Sequence, residues 1–196
     1  MAISRLRVSR RPLLAAAVVG VGALVPAFVG LVRDGQVIAG APAWLKPAKF
    51  AISIAIYCAR LSWLLTLVRG HRRVVQTVGW LTGVALIAEL ALIDLQVLRG
   101  TTSHFNTSTP TDALILAAMG ALVALVFLAA LATAGLLIRQ RGLPHPLATG
   151  VRAGLVVSIL GMTEAVLMVV NSTYHRGGGH TVGAPDGGPT GGPASH

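Results

Sequence analysis

The amino-acid sequence predicts an all-α, polytopic transmembrane helix bundle of about five spans, followed by a Gly/Pro-rich tail. Three observations carry that expectation. Of the 196 residues, 54% are hydrophobic and only 11% are charged, whereas a soluble domain has roughly a quarter of its residues charged. The mean hydropathy is +0.75, a value suited to a chain whose solvent is lipid. The apolar residues also form continuous runs instead of alternating. That pattern favours helices, which satisfy their own backbone groups, over a lipid-facing barrel.

Each run has the length the bilayer demands. About 20 apolar residues cross a hydrocarbon core of ~30 Å, and the stretches at about 13–32, 50–68, 74–98, 113–138 and 153–170 qualify. Residues 1–12 form a basic segment with Arg5, Arg7, Arg10 and Arg11. The run after it exceeds the roughly 7–15 residues of a signal-peptide core, so a retained first helix is expected. Pro26 is expected to kink that helix, and Gly22, Pro26 and Gly30, spaced by four, to give it a close-packing face. In the second run Cys58, the single cysteine, excludes an intrachain disulfide and reads as a small packing residue. The bundle is expected to occupy residues 13–172. From 173 to 196 Gly and Pro dominate, no apolar face remains, and a flexible tail is expected.

The cations set the orientation. With the N-terminus inside, the inner segments hold Arg5, Arg7, Arg10, Arg11, Arg69, Arg72, Arg73, Arg139, Arg141 and Arg152. The outer segments hold Arg33, Lys46, Lys49, Arg99 and Arg176. Ten against five predicts a cytoplasmic N-terminus and an external tail. The same clustering explains the net charge of +10 as a rim facing anionic lipid, which excludes nucleic acid as the expected partner. The lipid bilayer is the expected partner, and a homo-oligomer or another membrane subunit stays open. Fourteen Arg against two Lys, amid abundant Ala, Gly and Val, fit a GC-rich bacterial genome and hence a bacterial cytoplasmic membrane.

Charged groups inside spans are costly and usually face a bundle interior. Arg60 lies in the second run, Glu89 and Asp94 in the third, and Glu164 in the fifth. A rise of 1.5 Å per residue puts Arg60, Glu89 and Glu164 about 15, 14 and 12 Å below the outer helix ends, with Asp94 at roughly 6 Å. Similar depth predicts a polar network in which Arg60 faces Glu89 and Glu164. Its role is either a buried ion pair or a proton path, ion site or support for a cofactor.

Three segments gather on the expected outer side. Trp44-Leu45-Lys46-Pro47-Ala48-Lys49 reads as a headgroup-level anchor and helix start. Arg99-Gly100-Thr101-Thr102-Ser103-His104-Phe105-Asn106 joins the third and fourth helices, and Gly177-Gly178-Gly179-His180-Thr181-Val182-Gly183 follows the fifth. His104 and His180, with His175 nearby, are candidate ligands for a transition metal or for haem, because neutral imidazole serves both. Their spacing matches no compact metal motif, and the alternative is a loop histidine in ordinary hydrogen bonds. Sequons at Asn106-Thr107-Ser108 and Asn171-Ser172-Thr173 carry no weight in a bacterium. No nucleophile elbow, phosphate loop or dinucleotide fingerprint is present, so no catalytic residue is assigned.

These segments resemble an uncharacterised family of bacterial multi-spanning membrane proteins, which has no assigned activity. The resemblance runs through Trp44-Leu45-Lys46-Pro47, Lys49-Phe50, Glu89, Gln96, Arg99-Gly100, Ser103-His104-Phe105-Asn106, Asp112 and Met119-Gly120. It continues through His180-Thr181-Val182-Gly183 and Asp186-Gly187-Gly188-Pro189. The resemblance implies that relatives extend beyond this last motif into further helices with additional histidines. This chain stops seven residues after Pro189, which is expected of a shortened member or of an interrupted reading frame. Two functional classes follow from the sequence. One is a redox or metal-handling membrane protein with His104 and His180 as ligands and Glu89 as inner support. The other is a non-catalytic membrane component. A small transporter ranks third, because no inverted repeat is evident.

Overall fold

The computed structural model describes residues 2–38, 40–103, 106–140 and 142–174. Among them are five α-helices: α1 (Ala2–Arg33), α2 (Leu45–Leu67), α3 (Arg72–Leu98), α4 (Pro110–Arg139) and α5 (His145–Tyr174). All five contain stretches long and apolar enough to cross a membrane, as an all-α transmembrane bundle requires. The chain divides into two units, residues 1–152 and 153–196. Three helices start well before their apolar runs, α1 already at Ala2. α2 begins at Leu45 and α5 at His145, because first turns rich in Lys, Pro and His still have helical backbone although they lower the local hydropathy.

In the first unit α1 packs on both α2 and α3, and α4 packs on the other side of α3. Ile93 from α3 packs in a cluster with Ile115 and Met119 from α4, flanked by Phe50 and Leu92. Between α1 and the α2–α3 pair the contact is backbone to backbone. A Cβ on Gly20 would lie 2.9 Å from the Ala51 carbonyl oxygen, and one on Gly83 would lie 2.8 Å from that of Pro12. Only glycine permits such an approach, which substitutes for hydrophobic driving force where lipid is as apolar as the side chains. Among the residues of α1 whose burial is described, Pro12, Leu13, Ala16, Gly20, Ala27 and Gly30 are buried, so that of the expected Gly22, Pro26 and Gly30 only Gly30 faces the bundle. Gly22 and Pro26 are exposed. A strict step of four drifts around a helix of 3.6 residues per turn, whereas mixed steps of three and four stay on one face.

The connections alternate between the two ends. At one end, Val68 to His71 join α2 to α3 in a tight turn, with Gly70 at φ +74° and His71 at φ +39°. At this end the Gln140 side chain bridges to the turn: its Oε1 accepts the Arg69 backbone N–H at 2.7 Å, and its Nε2 donates to the Leu67 carbonyl. At the other end, α1 and α2 are joined by a two-stranded antiparallel hairpin, β1 (Val37–Ile38) and β2 (Ala41–Pro42), with Val37 opposite Pro42. In the second unit, α5 continues through Ser158 and Thr163, whose hydroxyls donate to the carbonyls of Gly154 and Ile159. That back-bonding satisfies hydroxyls along an apolar helix.

Candidate functional site

The best-built polar feature is the cap that closes α3 onto α4. α3 ends in a Schellman turn: Gly100, at φ +70°, donates its N–H to the Val97 carbonyl, and Thr101 donates to that of Gln96. This arrangement satisfies carbonyls that a helix end would otherwise leave open. α4 begins on Thr109, followed by Pro110 at its first position. The Thr109 hydroxyl accepts the Asp112 backbone N–H at 3.1 Å and donates to Asp112 Oδ2 at 2.6 Å. Asp112 also offsets the positive end of the α4 dipole.

Asp112 is the centre of the network. Its Oδ1 accepts from Arg99 Nη1 at 2.8 Å and from Gln96 Nε2 at 3.1 Å. Gln96, fully buried, also donates to the Thr102 carbonyl and accepts from Arg99. Further along the loop, Asn106 Nδ2 donates to Thr101 Oγ1 at 2.6 Å, while Asn106 Oδ1 accepts from the backbone and hydroxyl of Ser108. Ser103 and Asn106 are both buried. The loop is therefore held on each side of residues 104 and 105. His104 itself, with His175 and His180, lies outside the described residues.

The α1–α2 connection sits beside this cap. Asp34 organises it, accepting the Gln36 backbone N–H at 3.0 Å and the Trp44 indole N–H at 2.7 Å. Trp44, expected as a headgroup anchor, packs its ring against Gly30 of α1. The Gln36 amide reaches the Gly100 turn, where a Cβ on Gly100 would lie 2.9 Å from its Nε2. The two connections thus make one polar surface at one end of the bundle.

Below it lie the intramembrane charges. Glu89 is 3% exposed and about 13 Å along α3 from Leu98, at 1.5 Å per residue. Its electrostatic partner is Lys46, half-buried in the first turn of α2. Arg60, expected opposite Glu89, instead occupies an exposed face of α2, near Tyr57. Asp94 is half-buried on α3, and Glu164 lies on α5 in the second unit. At similar depth, Glu89 is buried while Arg60 and Glu164 are exposed.

Asp112 and Gln96 carry the cap, yet sequence reasoning assigned neither a role beyond the resemblance. The signal for Asp112 was present in Thr109-Pro110-Thr111-Asp112, a capping-box spacing with an acid at the third helical position. Among the described residues, no three His, Cys, Asp or Glu side chains come together as a metal-holding group. Comparison with known protein families, with curated proteins and with solved structures returns no match for this chain.

Proposed function

We propose that this chain is an integral protein of a bacterial cytoplasmic membrane whose acting end is the cap between α3 and α4. In that reading the N-terminus is cytoplasmic, the tail is external, and His104 and His180 are offered to a transition metal or to haem. The observation that carries the reading is the order built into the loop around His104. A mere linker between two helices needs no buried Gln96, Ser103, Asn106 and Asp112. The residues of the cap are also those of the family resemblance, which supports a shared role for them.

The metal reading is tested on detergent-purified full-length protein by metal analysis and an absorption spectrum. Stoichiometric metal or a Soret band, lost in both His104→Ala and His180→Ala, is the expected result. Substoichiometric metal without a Soret band returns these histidines to ordinary loop roles. A second reading, a non-catalytic membrane component, is favoured by the cap itself, because its polar side chains largely satisfy one another. The orientation is tested separately with reporter fusions after Gly70, Gly100 and Gly177, expected to read inside, outside and outside. Any other order overturns the topology inferred from the cations.

A further inference from the structure

The end of the bundle opposite the cap holds a second polar feature, unconnected with the proposed acting site. A cleft of about 430 Å³ opens between the last turn of α4 and the first turns of α5, lined by Arg139, Gln140, Gly142, His145, Ala148 and Arg152 among others. Its size falls within the roughly 300–1,000 Å³ of small-molecule sites. Arg139, His145 and Arg152 line it, and among the described residues no carboxylate does. Arg69 stands at its rim: a Cβ on Gly142 would lie 3.6 Å from Arg69 Nη1. The ion pair of Arg99 with Asp112 is at the far end of the bundle.

The floor of the cleft is fixed. Gln140, itself lining it, holds the α2–α3 turn through Leu67 and Arg69. Gly142 turns the chain at φ +86°, a conformation that side chains rarely adopt. Arg139 and Arg152 thus line one cleft from two helices, and among the described residues no carboxylate lines it beside them. Guanidinium is suited to the oxygens of a phosphate, which it can bind in bidentate fashion. Basic pockets between helices at a membrane surface are where anionic headgroups lodge.

We infer that this cleft binds a phosphate-bearing anion, held by Arg139 and Arg152 with Arg69 at the rim. Its place at the end of two apolar helices puts it level with a phospholipid headgroup, and a soluble phosphate shares the same chemistry. The test uses full-length protein in detergent, with phosphatidylglycerol, phosphatidylcholine and inorganic phosphate as probes, and lipid retention read by native mass spectrometry. Wild-type protein is expected to retain phosphatidylglycerol over phosphatidylcholine. Arg139→Gln and Arg152→Gln should each weaken phosphatidylglycerol retention about fivefold, and about 25-fold together. The single variants decide the matter if the double variant does not fold. Arg72→Gln with Arg73→Gln removes two exposed charges from the same end, outside the cleft, and should cost less than about fivefold. Competition by millimolar inorganic phosphate identifies a soluble ligand, and its absence identifies the lipid headgroup. Equal losses in the two double variants, or no binding preference in the wild type and no phosphate binding, overturn the inference.

Discussion

Asp112→Ala is expected to lower the thermal midpoint of the detergent-solubilised protein by roughly 6–12 °C, the scale for breaking a buried polar pair in a chain of this length. The size follows from what is left behind. Asp112 is 4% exposed and accepts from Arg99, Gln96 and Thr109. Its loss leaves the fully buried Gln96 amide without one acceptor and removes the charge facing Arg99. Arg99→Ala should have less than half that effect, because the Arg99 side chain is 34% exposed and water already shares its solvation. Cys58, fully buried in α2 and the only thiol, is a built-in reporter. A thiol-reactive fluorophore will label it only as the bundle opens. If Asp112→Ala shifts the midpoint by less than about 2 °C, or by less than Arg99→Ala, the cap is not the keystone of this end.

Gly20→Leu is expected to separate α1 from its neighbours, with a loss of about 3 kcal/mol or more, the upper range for overpacking. The Cβ alone would meet the Ala51 carbonyl oxygen at 2.9 Å and the Ala55 nitrogen at 3.3 Å. Both atoms belong to the backbone of α2, which cannot turn aside as a side chain can. Gly22→Leu supplies the control two residues away. Nothing lies within 4 Å of a Cβ at Gly22, so that variant should stay within about 0.5 kcal/mol of wild type. The same Cys58 labelling assay compares the two. Equal behaviour of the two variants would mean that α1 does not pack on α2 through Gly20.

The residues explain why some of this could be read in the sequence and some could not. The five spans were legible because a helix in lipid must be apolar over nearly its whole length, and no loop of this chain imitates that. Helix faces were less legible. An apolar helix carries little contrast between the side that meets protein and the side that meets lipid, so the phase of Gly20 against Gly22 had no compositional marker. The same ambiguity left the exposure of Arg60 and the burial of Glu89 without a marker despite their matching depth. The partner of Glu89, Lys46, starts a helix and has the length to reach inward along it, a direction that depth counting from Cα positions overlooks. The hairpin at Val37–Pro42 was hidden by its brevity, since two-residue strands leave no period to detect. Of the cap, the loop and its polar character were legible. The convergence of Gln96, Arg99 and Asp112 was not, because it depends on how the two helix ends meet.

The Gln140 amide has a consequence for how the helices are held along their length. Apolar side chains in lipid exchange one greasy neighbour for another, so packing alone offers slight resistance to a helix sliding along its axis. Gln140 supplies an acceptor and a donor at once, and it engages a backbone N–H and a carbonyl two residues apart where α2 gives way to the turn. A shift of α4 by one residue, about 1.5 Å, would misplace both bonds together. One side chain therefore acts as a vernier between α2 and α4, fixing their axial register at a point where the two helices otherwise have little contact.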